Sequence, residues 1–403
     1  MRRILQIALA VLFLTQASFA ATTITWWQFW TDPGIKPVIK AMVDEFEKAN
    51  PDIKIELTDL TWSNGHEKIV IAYSSATAPD VVELGSDWIA QFAANGHLAN
   101  LSQSVAADSG EYHGWSLATY EDGIYARPWF LGTRILFANR DLLARAGYEK
   151  DYMPYKWADL KDAARKIHLL GKDIYGWGSN APEKHRLYKK FLPFMWSAKG
   201  QIFSDDGRLC VLPSVHTVSA LTLYKELHDS SGYVGDQRGI EDAFLDGKVG
   251  FIMSGDWLLK RIELENRKIN LGAALIPGPK FPGKSFLGGE FLAVSETCEH
   301  KDEAMRFIAF ITSPENQVRF CQANRSATPS SKTAQQDEYF SSTEPLRIFN
   351  KQILSVKHPP VDPDWVEIED IIEKAVEDAV FGSGLIAEPL RQAQLKIEQL
   401  KNK

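Results

Sequence analysis

Three segments place an aromatic ring beside a carboxylate: Trp30-Thr31-Asp32, Asp87-Trp88 and Asp256-Trp257. Such a pairing suits a ligand with C–H faces and a rim of hydroxyls, because a ring stacks on the apolar face while charged oxygens take bidentate hydrogen bonds. Sugars have this form. The 403 residues include 12 Trp within an aromatic content of 11%, more than a core needs. Trp257 is the strongest single candidate. It follows Ser254-Gly255-Asp256 at a strand-to-helix junction, where glycine lets backbone approach closely and the helix start offers free N–H groups.

Catalytic patterns are missing. His66-Glu67 begins like a zinc-protease helix, but position 70 is Val, so the second ligand is absent. There is no phosphate-cradling glycine loop, no nucleophile elbow and no CxxC. Asp205 with Asp206, or Asp362 with Asp364, would serve a secreted glycosidase only if two carboxyls stood about 5 to 9.5 Å apart across a bond. Their turn-like surroundings favour solvated side chains. The expectation is a binding protein and not an enzyme, with no cofactor and no metal; a glycosidase is the alternative of another class.

The elements that must position these groups alternate. Ile24 to Phe29 is a short apolar run, Val38, Met42, Val43 and Phe46 line one face of a helix over 35–49, and Ile53, Ile55 and Leu57 alternate as a strand. A helix over 66–75 and a buried strand over 80–84 follow. This order implies a largely parallel sheet with helices on both faces and ligands at the carboxyl ends of strands. Trp30 and Asp32, and Asp87 and Trp88, fall in loops after strands. Further strands are expected at 134–139 and 249–253. Helices are expected over 141–146, 157–170, 215–229, 240–245, 256–265, 302–311 and 314–322, with two more between 365 and 400.

At the amino terminus Arg2 and Arg3 precede an apolar run from Ile4 to Leu14 interrupted only by Gln6, and Ser18-Phe19-Ala20 supplies small residues at the cleavage positions. This is a secretory signal peptide cleaved after Ala20, too short to span a bilayer of roughly 20 residues. No Cys follows for lipid attachment. Lys and Arg total 45 against 52 Asp and Glu, which argues against nucleic acid or anionic membrane as the main partner. Cys210, Cys298 and Cys321 allow at most one disulfide, so the fold must rest on its core, and buried inert thiols are expected.

The segments in order resemble the carbohydrate-binding extracellular solute-binding proteins, the family of the maltodextrin-binding proteins of ATP-driven importers. The resemblance spans nearly all of the mature chain. It is carried by Ala78-Pro79-Asp80-Val81-Val82, Trp88-Ile89-Ala90-Gln91-Phe92 with Gly96-His97-Leu98, Tyr120 to Pro128, Phe137 to Leu143 with Ala146-Gly147, and Trp157-Ala158-Asp159-Leu160. Ala243 to Phe251 with Ser254-Gly255-Asp256-Trp257, Pro277-Gly278-Pro279 and Gly288-Gly289-Glu290 complete it. Ala138 departs, standing where the family usually has a Tyr.

The resemblance implies an α/β periplasmic-binding-protein fold of type II: two lobes, each a mostly parallel sheet flanked by helices, with a ligand cleft between them. The first lobe would hold 21–131 plus 291–327, and the second 132–290 plus 328–403. It also implies ligand contacts from Trp30, Asp32, Asp87, Trp88, Trp196, Asp256, Trp257, the Gly288-Gly289-Glu290 crossing and Arg325. Trp129 and Phe130, at the first crossing, read equally as ligand wall or as hinge packing. A periplasmic monomer that hands a sugar to an inner-membrane permease is the implied function. Phosphate esters and polyamines are the alternative ligands; the first would want clustered cations, for which Arg127 and Arg325 are the prospects, and the second would suit Asp32, Asp87 and Glu290 beside aromatics.

Overall fold

Burial alternates along β1 (Thr22–Gln28), with Ile24 and Trp26 inside and Thr23 outside, which turns one face of the strand to the core. The computed structural model describes residues 21–183, 186–325 and 328–402; the leader read over residues 1–20 lies outside them. After β1 come α1 (Lys36–Ala49), β2 (Ile53–Asp59), α2 (Gly65–Ser74), β3 (Val81–Gly85) and α3 (Ile89–Ala94). A small ribbon of β4 (Thr119–Tyr120) and β5 (Gly123–Ile124) leads to β6 (Arg127–Gly132).

The chain then builds a second body. Its elements are β7 (Ile135–Asn139), α4 (Arg140–Arg145), α5 (Trp157–His168), β8 (Tyr175–Asn180), α6 (Leu187–Ser197), α7 (Val215–Ser231), β9 (Gly232–Gly235), α8 (Gln237–Leu245), β10 (Val249–Ser254), α9 (Trp257–Leu264), β11 (Leu271–Ala274) and β12 (Ser285–Phe286). With β13 (Gly288–Val294), α10 (Lys301–Ile311) and α11 (Pro314–Asn324) it returns to the first. It ends with α12 (Glu344–Gln352), β14 (Val356–Lys357), α13 (Trp365–Phe381) and α14 (Ala387–Lys401). Among the described residues no helix is long and apolar enough to cross a membrane.

Two five-stranded sheets define two lobes, ordered β2-β1-β3-β13-β6 and β11-β7-β10-β8-β9. In the first, β1 runs parallel to β2 and β3, but β13 runs against both β3 and β6. The second is likewise parallel at β10-β8-β9 and antiparallel at β11-β7-β10. The reversal has a simple cause. β13 enters the first sheet where β6 leaves it, with Gly288 opposite Gly132, and so must travel the other way.

The crossings differ from the expected limits of 131/132, 290/291 and 327/328. Glu290 already lies opposite Gly85 and Phe130, so the first sheet regains the chain at Gly288. Downstream, the Leu131 N–H donates to the Thr328 carbonyl, the Ser330 hydroxyl reaches the Pro128 and Trp129 carbonyls, and Ser331 bridges Tyr112. The chain therefore stays on the first lobe beyond 327.

Each lobe has its own core. Trp26, Met42, Phe46 and Phe307 pack together in the first, with Trp26 and Phe307 rings 5.1 Å apart. Trp177, Phe194, Tyr224 and Trp365 fill the second. All three cysteines are buried and unpaired, and burial pushes the Cys298 thiol up to about 12.

β8 and α6 have no counterpart in the sequence pattern. β8 reads Tyr-Gly-Trp-Gly-Ser-Asn, and a Cβ at Gly176 would stand 2.0 Å from the Ala164 carbonyl oxygen of α5. Helix backbone thus rests directly on strand backbone. Gly176→Ala is expected to lower unfolding free energy by about 1 to 3 kcal/mol through overpacking, read as a lower denaturation midpoint in urea.

Candidate functional site

The carboxyl end of β10 delivers the chain into α9, and the first residue of that helix is Trp257. A Cβ at position 255 would lie 2.0 Å from the Trp257 ring, so only glycine allows the indole to fold back there. The indole is then fixed. Its N–H donates to Glu241 Oε1 at 2.7 Å, the same oxygen accepts the Ser254 hydroxyl at 2.7 Å, and Arg261 Nη1 donates to Glu241 Oε2 at 2.8 Å. Trp257 is half-buried, and the Arg134 guanidinium lies over its ring at 4.9 Å from the centroid. Asp256 does not cap α9 with its side chain.

Arg134 stands between the lobes, just past the end of β6. It touches Phe286 as well, at 5.1 Å. Glu290, at the second crossing, faces the same region: Asp256, Lys189, Arg134 and Asp87 all act on its carboxyl. Burial is the main cause that raises its pKa from the ordinary 4.5 to about 8, with Asp256 adding to the rise. The crossing itself is tight. A Cβ at Gly289 would lie 2.5 Å from the Phe130 carbonyl oxygen, and one at Gly288 would lie 2.9 Å from the Phe286 ring.

Among the described residues, three ion pairs join the lobes. Lys189 of α6 meets Asp87 at 3.0 Å, Lys260 of α9 meets Asp32 at 3.1 Å, and Glu263 of α9 meets Arg325 at 2.6 Å. Lys260 also reaches Asn324 at 3.0 Å. Backbone donation from Gly34, followed by Lys260, holds the Asp32 carboxyl below the usual range. Arg325 sits at the end of α11 with a left-handed φ of 60°. It reaches the cleft, but its fork is spent on Glu263.

The aromatics divide. Trp88 forms a rim cluster with Phe29, His66 and Trp62, in which Trp62 stacks on Phe29 at 4.1 Å and is 46% exposed. Trp30 is held edge-on to Phe130 and Phe320, its N–H taken by the buried Glu83 at 2.8 Å. Trp129 and Phe130 are core residues and no ligand wall: Trp129 is fully buried beside Trp26, and Phe130 stacks on Phe320 at 4.6 Å. Trp196 is also buried, stacked 6.3 Å from Phe286. These three were drawn inward because an apolar ring gains more from burial than a rim position offers.

Trp62, Arg134, Lys189, Lys260 and Glu241 were not read from the sequence. Trp62 follows a strand, as Trp30 and Trp88 do, and that signal was available. Arg127 is no cleft residue; it is buried in the first lobe against Asp108 and Thr312. Asp206 closes a turn with Ser204 and Arg208, and Asp362 and Asp364 share Lys401.

The sequence profile of the bacterial extracellular solute-binding proteins matches residues 32–318. The chain belongs to this family. This solute-binding protein is 27% identical over 306 residues to the diacetylchitobiose-binding protein DasA of Streptomyces coelicolor, a match covering 70% of this chain and 68% of DasA. It is 22% identical over 361 residues to the maltodextrin-binding protein MdxE of Bacillus subtilis, covering 86% and 83%. Its fold is similar to that of the cyclic α-maltosyl-1,6-maltose binding protein from Arthrobacter globiformis, with a TM-score of 0.84 at 22% identity over 95% of this chain and all of the other.

Two outcomes follow for the solute-binding protein without ligand. Lys260→Ala with Arg325→Ala removes two exposed pairs, each worth about 0.2 to 1 kcal/mol, and is expected to shift the lobes toward an open form, seen as a larger radius of gyration in X-ray scattering; high salt should act in the same direction. Glu290 keeps its proton when folded and loses it when unfolded between pH 4.5 and about 8, so its contribution falls as pH rises through that window. Glu290→Gln is expected to flatten the stability profile there by up to about 1.4 kcal/mol per pH unit, measured by urea unfolding at several pH values.

Proposed function

We propose that this solute-binding protein captures a saccharide in the cleft between its lobes, closes over it and delivers it to a membrane permease. The observation that carries the reading is Trp257: a half-buried ring locked in one orientation by Glu241, with a guanidinium on its face and a carboxyl, Glu290, sharing that guanidinium's surroundings. A fixed ring offers a stacking plane without an ordering cost, and the polar groups around it can read hydroxyl positions. Relatives named for chitobiose and maltodextrin support the ligand class. Polyamines fit less well, because Asp32 and Asp87 already hold lysines.

The two lobes are joined by extended crossings, and a ligand that touches both favours the closed arrangement by its differential contacts. The surface of the closed form then docks on the permease. The ligand is held and not transformed, since the carboxylate pairs that a glycosidase would use are committed to turns and to Lys401. The working protein is the exported monomer that begins after Ala20.

In a thermal-shift screen of mono- and oligosaccharides, a true ligand at 100 times its Kd is expected to add about 2.7 kcal/mol of stability, and chromatography after overnight incubation should recover it intact. Cleaved sugar would overturn the binding reading. Trp257→Ala is expected to weaken that ligand by about 0.5 to 1.5 kcal/mol beyond area burial, with the melting point of the empty protein little changed; unchanged affinity in calorimetry would move the site elsewhere.

A further inference from the structure

The charges of the cleft are not equally matched. Asp87, Asp32 and Glu263 hold Lys189, Lys260 and Arg325, and Glu241 holds Arg261. Arg134 is different. It is 9% exposed, and among the described residues its guanidinium has neither a carboxylate nor a hydrogen-bond acceptor. Only its backbone is engaged: its N–H donates to the Ser285 hydroxyl at 3.2 Å, and its carbonyl accepts from that hydroxyl at 2.7 Å. The side chain rests on two ring faces, those of Trp257 and Phe286.

An arginine keeps its charge in any protein environment. A buried charge without a counter-charge in contact is costly, and ring faces return only part of that cost. Arg186 and the buried Lys190 repel Arg134, while Asp256 and Asp87 attract it without forming an ion pair with it. Glu290 does not relieve it at neutral pH, because burial leaves that carboxyl protonated until about pH 8. The two rings hold the guanidinium in place, and its planar N–H fork matches a planar or tetrahedral oxyanion.

We propose that Arg134 receives an anionic oxygen group, a carboxylate or a phosphate, carried by the saccharide that enters the cleft. This rests on the saccharide reading above and narrows it to acidic sugars. A hydroxyl can accept one hydrogen bond from the fork but leaves the charge uncompensated. An oxyanion answers both the charge and the geometry.

The test is titration calorimetry of the secreted protein against matched pairs: glucuronate with glucose, galacturonate with galactose, their disaccharides, and glucose 6-phosphate. At least one acidic member is expected to bind about tenfold or more tightly than its neutral partner, a difference of about 1.4 kcal/mol. The uronate and phosphate arms separate the two sources of charge. Arg134→Gln is expected to abolish the preference, and Arg134→Lys, which keeps the charge without the fork, to retain part of it. Should neither variant fold, the wild-type acid-to-neutral ratio and its fall with added salt carry the same information. Binding of neutral sugars as tightly as acidic ones overturns the inference and leaves the saccharide reading standing. No binding by any sugar overturns both.

Discussion

Strand β13 lies between β3 and β6, and the chain on either side of it belongs to different lobes. Everything in the cleft depends on that placement. The crossings are extended and packed backbone to backbone at Gly289, which leaves no room there for a side chain. In this arrangement α6 and α9 face the loops after β1 and β3. Lys189, Lys260 and Glu263 then meet Asp87, Asp32 and Arg325, and the hinge fixes which side chains meet.

The electrostatics follow from the same geometry. Charges on moving faces are exposed or half-exposed and find partners across the gap, where water screens them and a pair is worth little. Arg134 and Glu290, on the crossings, are instead shifted mainly by desolvation. A cleft built this way sorts its groups into two classes. The rim carries charges paired across the gap, whereas the crossings carry Arg134 and Glu290, for which no ion pair is seen among the described residues.

Much of the fold was legible. Ile53, Ile55 and Leu57 announced β2 by alternation, and the periodic apolar face of α1 needed no tertiary context. β8 was not legible, because Gly176 and Gly178 break any pattern and the strand exists only through its neighbours β9 and β10. α6 carries Pro193 in its interior, which argues for a break that packing overrides. The place of Trp257 at a strand-to-helix junction was readable because Gly255 and Asp256 mark it. Trp129 and Trp196 carry the same ring and went to the cores, a choice that residue type does not encode. Arg134 and Lys189 were hidden for another reason. Their roles arise from chain segments far apart in sequence, and no local spacing records that they meet.

The return of β13 also sets a timetable. It pairs Val294 with Val81, partners about two hundred residues apart, and β3 has no other neighbour on that side. The first lobe therefore cannot complete its sheet until all five strands of the second have been made. Contacts of such span are slow to form. With three buried thiols and no cross-link to hold early structure, the newly made chain has no means of locking its first lobe ahead of time. The order of synthesis thus makes the sheet of the first lobe the last of the two to close.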